Sequence, residues 1–169
     1  NKSNIEIMKY WRIALVFGII GGILGFFWFL GVYHLGGNPF YSFWQKLVVL
    51  VQGGVAFFAI KYFRDKVNEG SLSFGEGVLT GLLVAIVTAL VSGTGEYFYA
   101  EYVKPEMVQS HLKQLYAYFE ANKEELIRRS SVKMYEGNYK AVGEVNAFTL
   151  TLDEIIWKIV RGTMFAVLV

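Results

Sequence analysis

The chain has 169 residues and a net charge of +2, with 54% hydrophobic, 17% aromatic and only 18% charged residues at a mean hydropathy of +0.40. A soluble domain usually carries about a quarter charged residues, so the deficit points to lipid as the solvent, and so small a net charge argues against a nucleic-acid partner. Because cysteine is absent, disulfides, thiolate metal sites and redox relays are excluded.

The first element is the charge-free run from Ile13 to Tyr33. A helix rises about 1.5 Å per residue and the hydrocarbon core is about 30 Å thick, so this run can cross it. Lys2, Lys9 and Arg12 before an apolar run imitate a signal peptide. The run is too long for an h-region and has no A-x-A-like cleavage site, so a retained first span is expected. Residues are also expected to precede Asn1. The span closes at the turn from His34 to Pro39, where glycine and proline stop a helix. Phe40, Tyr41, Phe43 and Trp44 then form an interfacial aromatic belt.

Span 2 centres on Leu47 to Ile60 and needs Phe43–Lys46 and Lys61–Phe63 to reach full length, with both lysines snorkelling outward. A short connection of mixed charge leads to Ser73-Phe74-Gly75-Glu76, the S-x-x-E spacing of a capping box. Span 3 starts there and runs to about Tyr99, where Tyr97, Phe98, Tyr99 and Tyr102 make a second belt.

From Lys104 to Leu150 the chain turns polar. Val108, Leu112, Leu115, Phe119 and Leu126 recur at helical spacing, and Glu124/Arg128 and Glu125/Arg129 are acid-first i,i+4 pairs. One or two helices are expected over about 105–135, then a loop through Gly137 and Gly143. This amphipathic face is expected to meet the membrane interface, a partner or the protein's own bundle. A further capping box, Thr151 to Glu154, is expected to open a last helix. From Ile155 to Val169 that helix covers only about 22 Å, so it reads as the start of a fourth span, with the natural chain continuing beyond it.

The expected fold is therefore all-α: a polytopic membrane protein with four transmembrane helices and a helical polar insert between spans three and four. Its parts are a three-span region over 1–103, the insert over 104–150, and the opening of the fourth span over 151–169. Three basic residues precede span 1 and three lie in the 61–72 connection, against Lys46 alone in the first connection. The positive-inside rule then places the N-terminus in the cytoplasm. The long third connection would lie outside, despite its seven basic residues against six acidic.

The junction from Ile60 through Lys61-Tyr62-Phe63-Arg64-Asp65-Lys66 to Gly75-Glu76-Gly77, together with the order of elements, resembles a family of small four-span bacterial membrane proteins classed as a domain of unknown function. Ile155-Ile156-Trp157-Lys158-Ile159-Val160-Arg161-Gly162 resembles the opening of that family's last span. The resemblance covers roughly residues 13–169 and implies architecture and residence in the bacterial inner membrane. It implies no chemistry.

Two groups of candidate residues stand out. Gly18, Gly21, Gly22 and Gly25 form overlapping G-x-x-x-G pairs on one stripe of span 1, and Gly77/Gly81 repeat the spacing in span 3. Glycine is common in membrane helices, yet four on one stripe point to close helix packing. The partner helix is open: span 3, another copy or another subunit. The second group is Glu96 and Glu101 with Lys158 and Arg161. If spans 3 and 4 are antiparallel neighbours, these groups share a leaflet, and an intramembrane ion pair is expected. The alternative is separate snorkelling into headgroups. Glu76 is explained by its capping box. His34 and His111 lack H-E-x-x-H spacing and read as loop and surface histidines. Ser92 lacks the G-x-S-x-G context.

No catalytic set, metal site or cofactor is predicted, and an enzyme is not expected. The leading expectation is a structural or accessory component of a membrane complex. Its partners would be the lipid bilayer and other membrane subunits or copies of itself. The alternative is a small-solute or ion transporter or a homo-oligomeric pore, although internal repeats and midplane polar residues are sparse.

Overall fold

The computed structural model describes the backbone of residues 2–168 and the side chains of residues 7–168; Lys2 of the basic N-terminus and Val169 of the expected truncation lie outside the described side chains. The described residues are helical, without strands. In chain order the helices are α1 (Lys2–His34), α2 (Phe43–Lys46), α3 (Val48–Tyr62), α4 (Phe74–Phe98), α5 (Glu106–Ala121), α6 (Lys123–Arg129), α7 (Val132–Val142) and α8 (Ala147–Leu168). Three helical stretches are long and apolar enough to cross a membrane: Ile7–His34, Phe43–Val67 and Phe74–Val103, of 28, 25 and 30 residues. The fourth expected span, α8, is not among them by composition, because it carries Asp153, Glu154, Lys158 and Arg161.

The second stretch is not one helix. The Ser42 hydroxyl accepts from Gln45 N at 3.2 Å and caps the short α2, and the helix then restarts beyond Leu47. Both α3 and α4 end in a π-helical turn, Phe63–Val67 and Tyr99–Val103. The widened turns are closed by Asn68 N donating to Phe63 O and Lys104 N donating to Tyr99 O. Between α3 and α4 the chain reverses at Gly70, whose φ of +86° favours a residue without Cβ. The Ser73 box forms as expected: Ser73 N donates to Glu76 Oε2 at 2.8 Å and Glu76 N donates to the Ser73 hydroxyl at 3.3 Å.

The chain divides into two compact units, residues 1–96 with 151–169, and residues 97–150. In the first, Ile13, Ala14, Ala59, Phe63, Val84 and Val87 make a core cluster drawn from α1, the end of α3 and α4. In the second, the apolar face of α5 is covered by α7. Phe119 lies 5.9 Å from Tyr135 and 6.1 Å from Tyr139, and the Tyr139 hydroxyl donates to Glu120 Oε1 at 3.0 Å.

Three local expectations need correction. α7 runs through Gly137 to Val142, where a loop was expected, because the Ser131 hydroxyl caps it by accepting from Met134 N. α8 begins at Ala147 and not at Thr151. Asn146 and Thr149 form a reciprocal cap one turn earlier, each backbone N donating to the other's side-chain oxygen at 3.0 Å, and Thr151 becomes a buried residue inside the helix. His111, expected at the surface, is buried on α5, and desolvation lowers its pKa below the ordinary imidazole value. Of the two i,i+4 pairs, Glu125 binds Arg129.

Candidate functional site

The site lies within the first unit and starts from the glycine stripe of α1. A Cβ built on Gly18 would stand 2.5 Å from Val87 Cβ, and one on Gly22 would stand 2.5 Å from Val91 Cβ. Gly21 receives the Thr88 hydroxyl at 2.8 Å, and Gly25 receives Ser92 Cβ at 3.4 Å. The stripe thus packs on α4, with side chains of α4 filling the space that a Cβ would need. Residue numbers rise together along this seam, so α1 and α4 run parallel, as a first and third span should.

The opposite side of α4 meets α8. The Gly81 position abuts Ala166, Gly93 abuts Ile155, and Gly162 on α8 abuts Ala85. Here the numbers run in opposite senses, so the two helices are antiparallel. The contacts extend over three turns of α4. By contrast Gly77 meets only Leu72 and Ile60 at ordinary distances of 3.5 and 3.9 Å.

On this seam Lys158 Nζ donates to Glu96 Oε1, and both side chains are 0% exposed. One turn to either side on α8, Arg161 Nη2 donates to Glu154 Oε2 at 3.5 Å and Arg161 Nε to Trp157 O at 3.0 Å. Glu96 therefore meets Lys158, Arg161 meets its own helix neighbour, and Glu101 is exposed on the π turn after α4. Antiparallel α4 and α8 bring the first pair together because lysine is long enough to reach along the seam.

The burial pattern of α8 is the reverse of a soluble helix. Its inward positions include Thr151, Lys158, Gly162 and Ala166, whereas Leu152, Ile156, Val160, Met164 and Val167 are exposed. α1 shows the same inversion, with Gly18, Gly21, Gly22 and Gly25 inside and Val16, Ile19, Ile20, Ile23, Leu24 and Phe27 outside. Water would strongly disfavour such an exterior, and large exposed apolar surfaces mark a membrane or partner contact.

A model of one family, described as Protein of unknown function (DUF4199), matches residues 16–169. The chain belongs to this family. No curated protein and no solved structure shows a significant match. The family agrees with the resemblance carried by the Ile60–Gly77 junction.

In this DUF4199 member several polar groups are buried, of which Gln52 and Glu96 stand out in the sequence whereas Gln45 and Thr88 were overlooked. Gln45, Gln52 and Thr88 are buried and, like Glu96 Oε2, hold side-chain atoms without a protein hydrogen-bond partner among the described residues. Thr88, Ser92 and Glu96 recur at i,i+4 along one stripe of α4, a signal that was present in the sequence. On α3, Val48 and Val55 meet the Gly25 and Gly21 positions, which puts Gln52 on the same side. Trp28 Nε1 donates to Trp44 O at 2.9 Å, so Gln45 stands level with residues 28–29 of α1. Continuing the α1–α4 register from Gly25/Ser92 places Glu96 at that level too. Buried polar atoms are seldom left unpaired, and internal water is the ordinary means of satisfying them.

Proposed function

We propose that this protein is a four-span, non-enzymatic component of a bacterial inner membrane that acts as a structural or accessory subunit of a larger membrane assembly. The observation that carries the reading is the inversion of α8: its apolar side chains face outward while Lys158 and Glu96 neutralise each other inside. Ionisable residues within a membrane face the bundle interior and pair there. At 22 residues, α8 is about 33 Å long, enough for the hydrocarbon core. It is the fourth span, its charges matched within the protein, and the parallel α1–α4 and antiparallel α4–α8 seams agree with an up-down order. On this reading residues 1–103 are the three-span region, 104–150 an extramembrane insert, and 151–169 part of the last span.

The N-terminus and the 61–72 connection face the cytoplasm, by the distribution of lysine and arginine. Because the chain has no cysteine, single cysteines at Asn38, Ser71 and Glu136 can be labelled in cells with a membrane-impermeant maleimide. Asn38→Cys and Glu136→Cys should label and Ser71→Cys should not. Labelling of Asn38→Cys and Ser71→Cys alike would remove the topology.

The accessory role is supported by how the interior is used: the one fully buried ion pair among the described residues joins two helices. Purification in a mild detergent tests it. Stoichiometric membrane subunits in the complex support the role; a lone oligomer with a hydrated lumen favours the second reading, a small-solute or ion transporter or pore. The unpartnered atoms of Gln45, Gln52, Thr88 and Glu96 are the observation on that side.

A further inference from the structure

A pocket of about 440 Å³ opens between the beginning of α1 and the end of α3, lined by Lys9, Arg12, Tyr62 and Lys66 together with apolar side chains including Val16 and Phe17. Ring contacts hold its two sides: Tyr10 stacks on Phe63 at 4.8 Å and Phe17 meets Tyr62 at 5.6 Å. No acidic side chain among the described residues lines it. Lys9, Arg12 and Lys66 join no ion pair among the described residues, while the neighbouring Asp65 is engaged by Arg64 at 2.7 Å. The pocket sits where the stretch Ile7–His34 begins and Phe43–Val67 ends, the depth at which phospholipid headgroups lie.

We propose that this pocket binds the headgroup of an anionic phospholipid. Three cations around one cavity, with no carboxylate among the described residues lining it, create a site for a phosphodiester, and basic pockets between membrane helices bind such headgroups. The apolar half identifies the source of the phosphate. Val16 is exposed and continues into the exposed Ile20, Ile23 and Phe27 of α1, a track for an acyl chain that inorganic phosphate would leave uncovered. The cavity is also in the usual size range for small-ligand sites, about 300–1,000 Å³. The inference rests on the membrane reading above.

The test uses the full chain purified in detergent, titrated with phosphatidylglycerol or phosphatidylcholine and followed by native mass spectrometry. Each lysine or arginine near a charged lipid surface contributes about fivefold in affinity. The variant Lys9→Gln/Arg12→Gln/Lys66→Gln should therefore bind phosphatidylglycerol on the order of a hundredfold more weakly. Phosphatidylcholine should bind weakly to both proteins. Lys113→Gln/Lys133→Gln/Lys140→Gln removes the same charge from exposed positions elsewhere and should leave binding unchanged. Circular dichroism checks folding, and the single Lys66→Gln variant, with a fivefold loss, serves if the triple variant does not fold. Equal losses in the control, equal binding of phosphatidylcholine, or displacement of the lipid by equimolar inorganic phosphate would overturn the proposal. Retention of the protein in carbonate-washed membranes separates the two failures: without phosphatidylglycerol preference the pocket is wrong, whereas release by carbonate removes the membrane reading itself.

Discussion

Removing one partner of the Glu96–Lys158 pair should be far more damaging than removing both. Each side chain is 0% exposed, Lys158 Nζ donates to Glu96 Oε1, and Oε2 has no protein partner among the described residues. In Lys158→Met the buried carboxylate loses its counter-charge, which costs about 3–5 kcal/mol for such pairs. Glu96→Met strands the ammonium at a similar cost. With both replaced by methionine, no charge remains, and the change lies between about neutral and a few kcal/mol stabilising. For a chain of this size each kcal/mol moves Tm by roughly 2–4 °C, so either single variant should melt about 6–20 °C lower. Thermal unfolding of the detergent-purified protein, read by circular dichroism, compares the four proteins. If the double variant lost the sum of the two single losses, the two side chains would not be acting on each other, and the account of the α4–α8 seam would be wrong.

Other perturbations read separate parts of the structure. Gly22→Ala should lower stability by about 1–3 kcal/mol through overpacking, since its Cβ would fall 2.5 Å from Val91 Cβ, whereas Gly54→Ala, with nothing within 4 Å, should be neutral or stabilising; thermal melts of both variants decide it. Ser73→Ala removes the cap of α4 and should cost about 1 kcal/mol, measured in the same way, with no loss if the 2.8 Å and 3.3 Å contacts at Glu76 carry nothing. Burial lowers the pKa of His111 from 6.5, so the folded insert binds the proton less well than the unfolded chain. Its contribution is present above pH 6.5 and is lost as pH falls through the folded value; the amide protection factors of α5, each exchange rate taken relative to the intrinsic rate at that pH, should be lower at pH 5.5 than at pH 7.5, and His111→Gln should remove the difference.

The helices themselves were legible because lipid imposes a coarse rule: a charge-free run such as Ile13–Tyr33 has few other places to go. Helix boundaries were less so. Thr151-x-x-Glu154 is a good capping pattern, but Asn146 and Thr149 form a cap one turn earlier, and a pattern cannot rank two competing caps. Glycine at i,i+4 announces a close approach without saying to what, so the pairing of Gly18 and Gly22 with Val87 and Val91 needed coordinates. The same holds for Glu96, whose possible partners on α8 were visible but whose reach to Lys158 depends on the seam's register. Gln45 passed unnoticed, and Gln52, visible as the strongly polar side chain inside span 2, could not be assigned a side, because a lone polar residue in an apolar run does not reveal which face it occupies. His111 was misjudged for a related reason: helical periodicity places a residue on a face, whereas its burial depends on what packs there.

The pair also answers a problem that the glycines leave open. Between helices in lipid there is no hydrophobic drive toward one register, and the small-residue contacts Gly81–Ala166 and Ala85–Gly162 would accept a slide of one turn with modest loss. The ion pair would not. A one-turn slip of α8 presents Glu96 with either Glu154 or Gly162 in place of Lys158, so that Glu96 faces a second carboxylate or no partner at all. Either outcome is expensive in a low dielectric, and the correct alignment is the one that satisfies both charges. Disulfide trapping makes this measurable. In the native background Ala85→Cys/Gly162→Cys should cross-link and the slipped combination Ala89→Cys/Gly162→Cys should not. Adding Glu96→Met/Lys158→Met should let both form, and selective cross-linking that survives the loss of both charges would show that packing alone sets the register of α8.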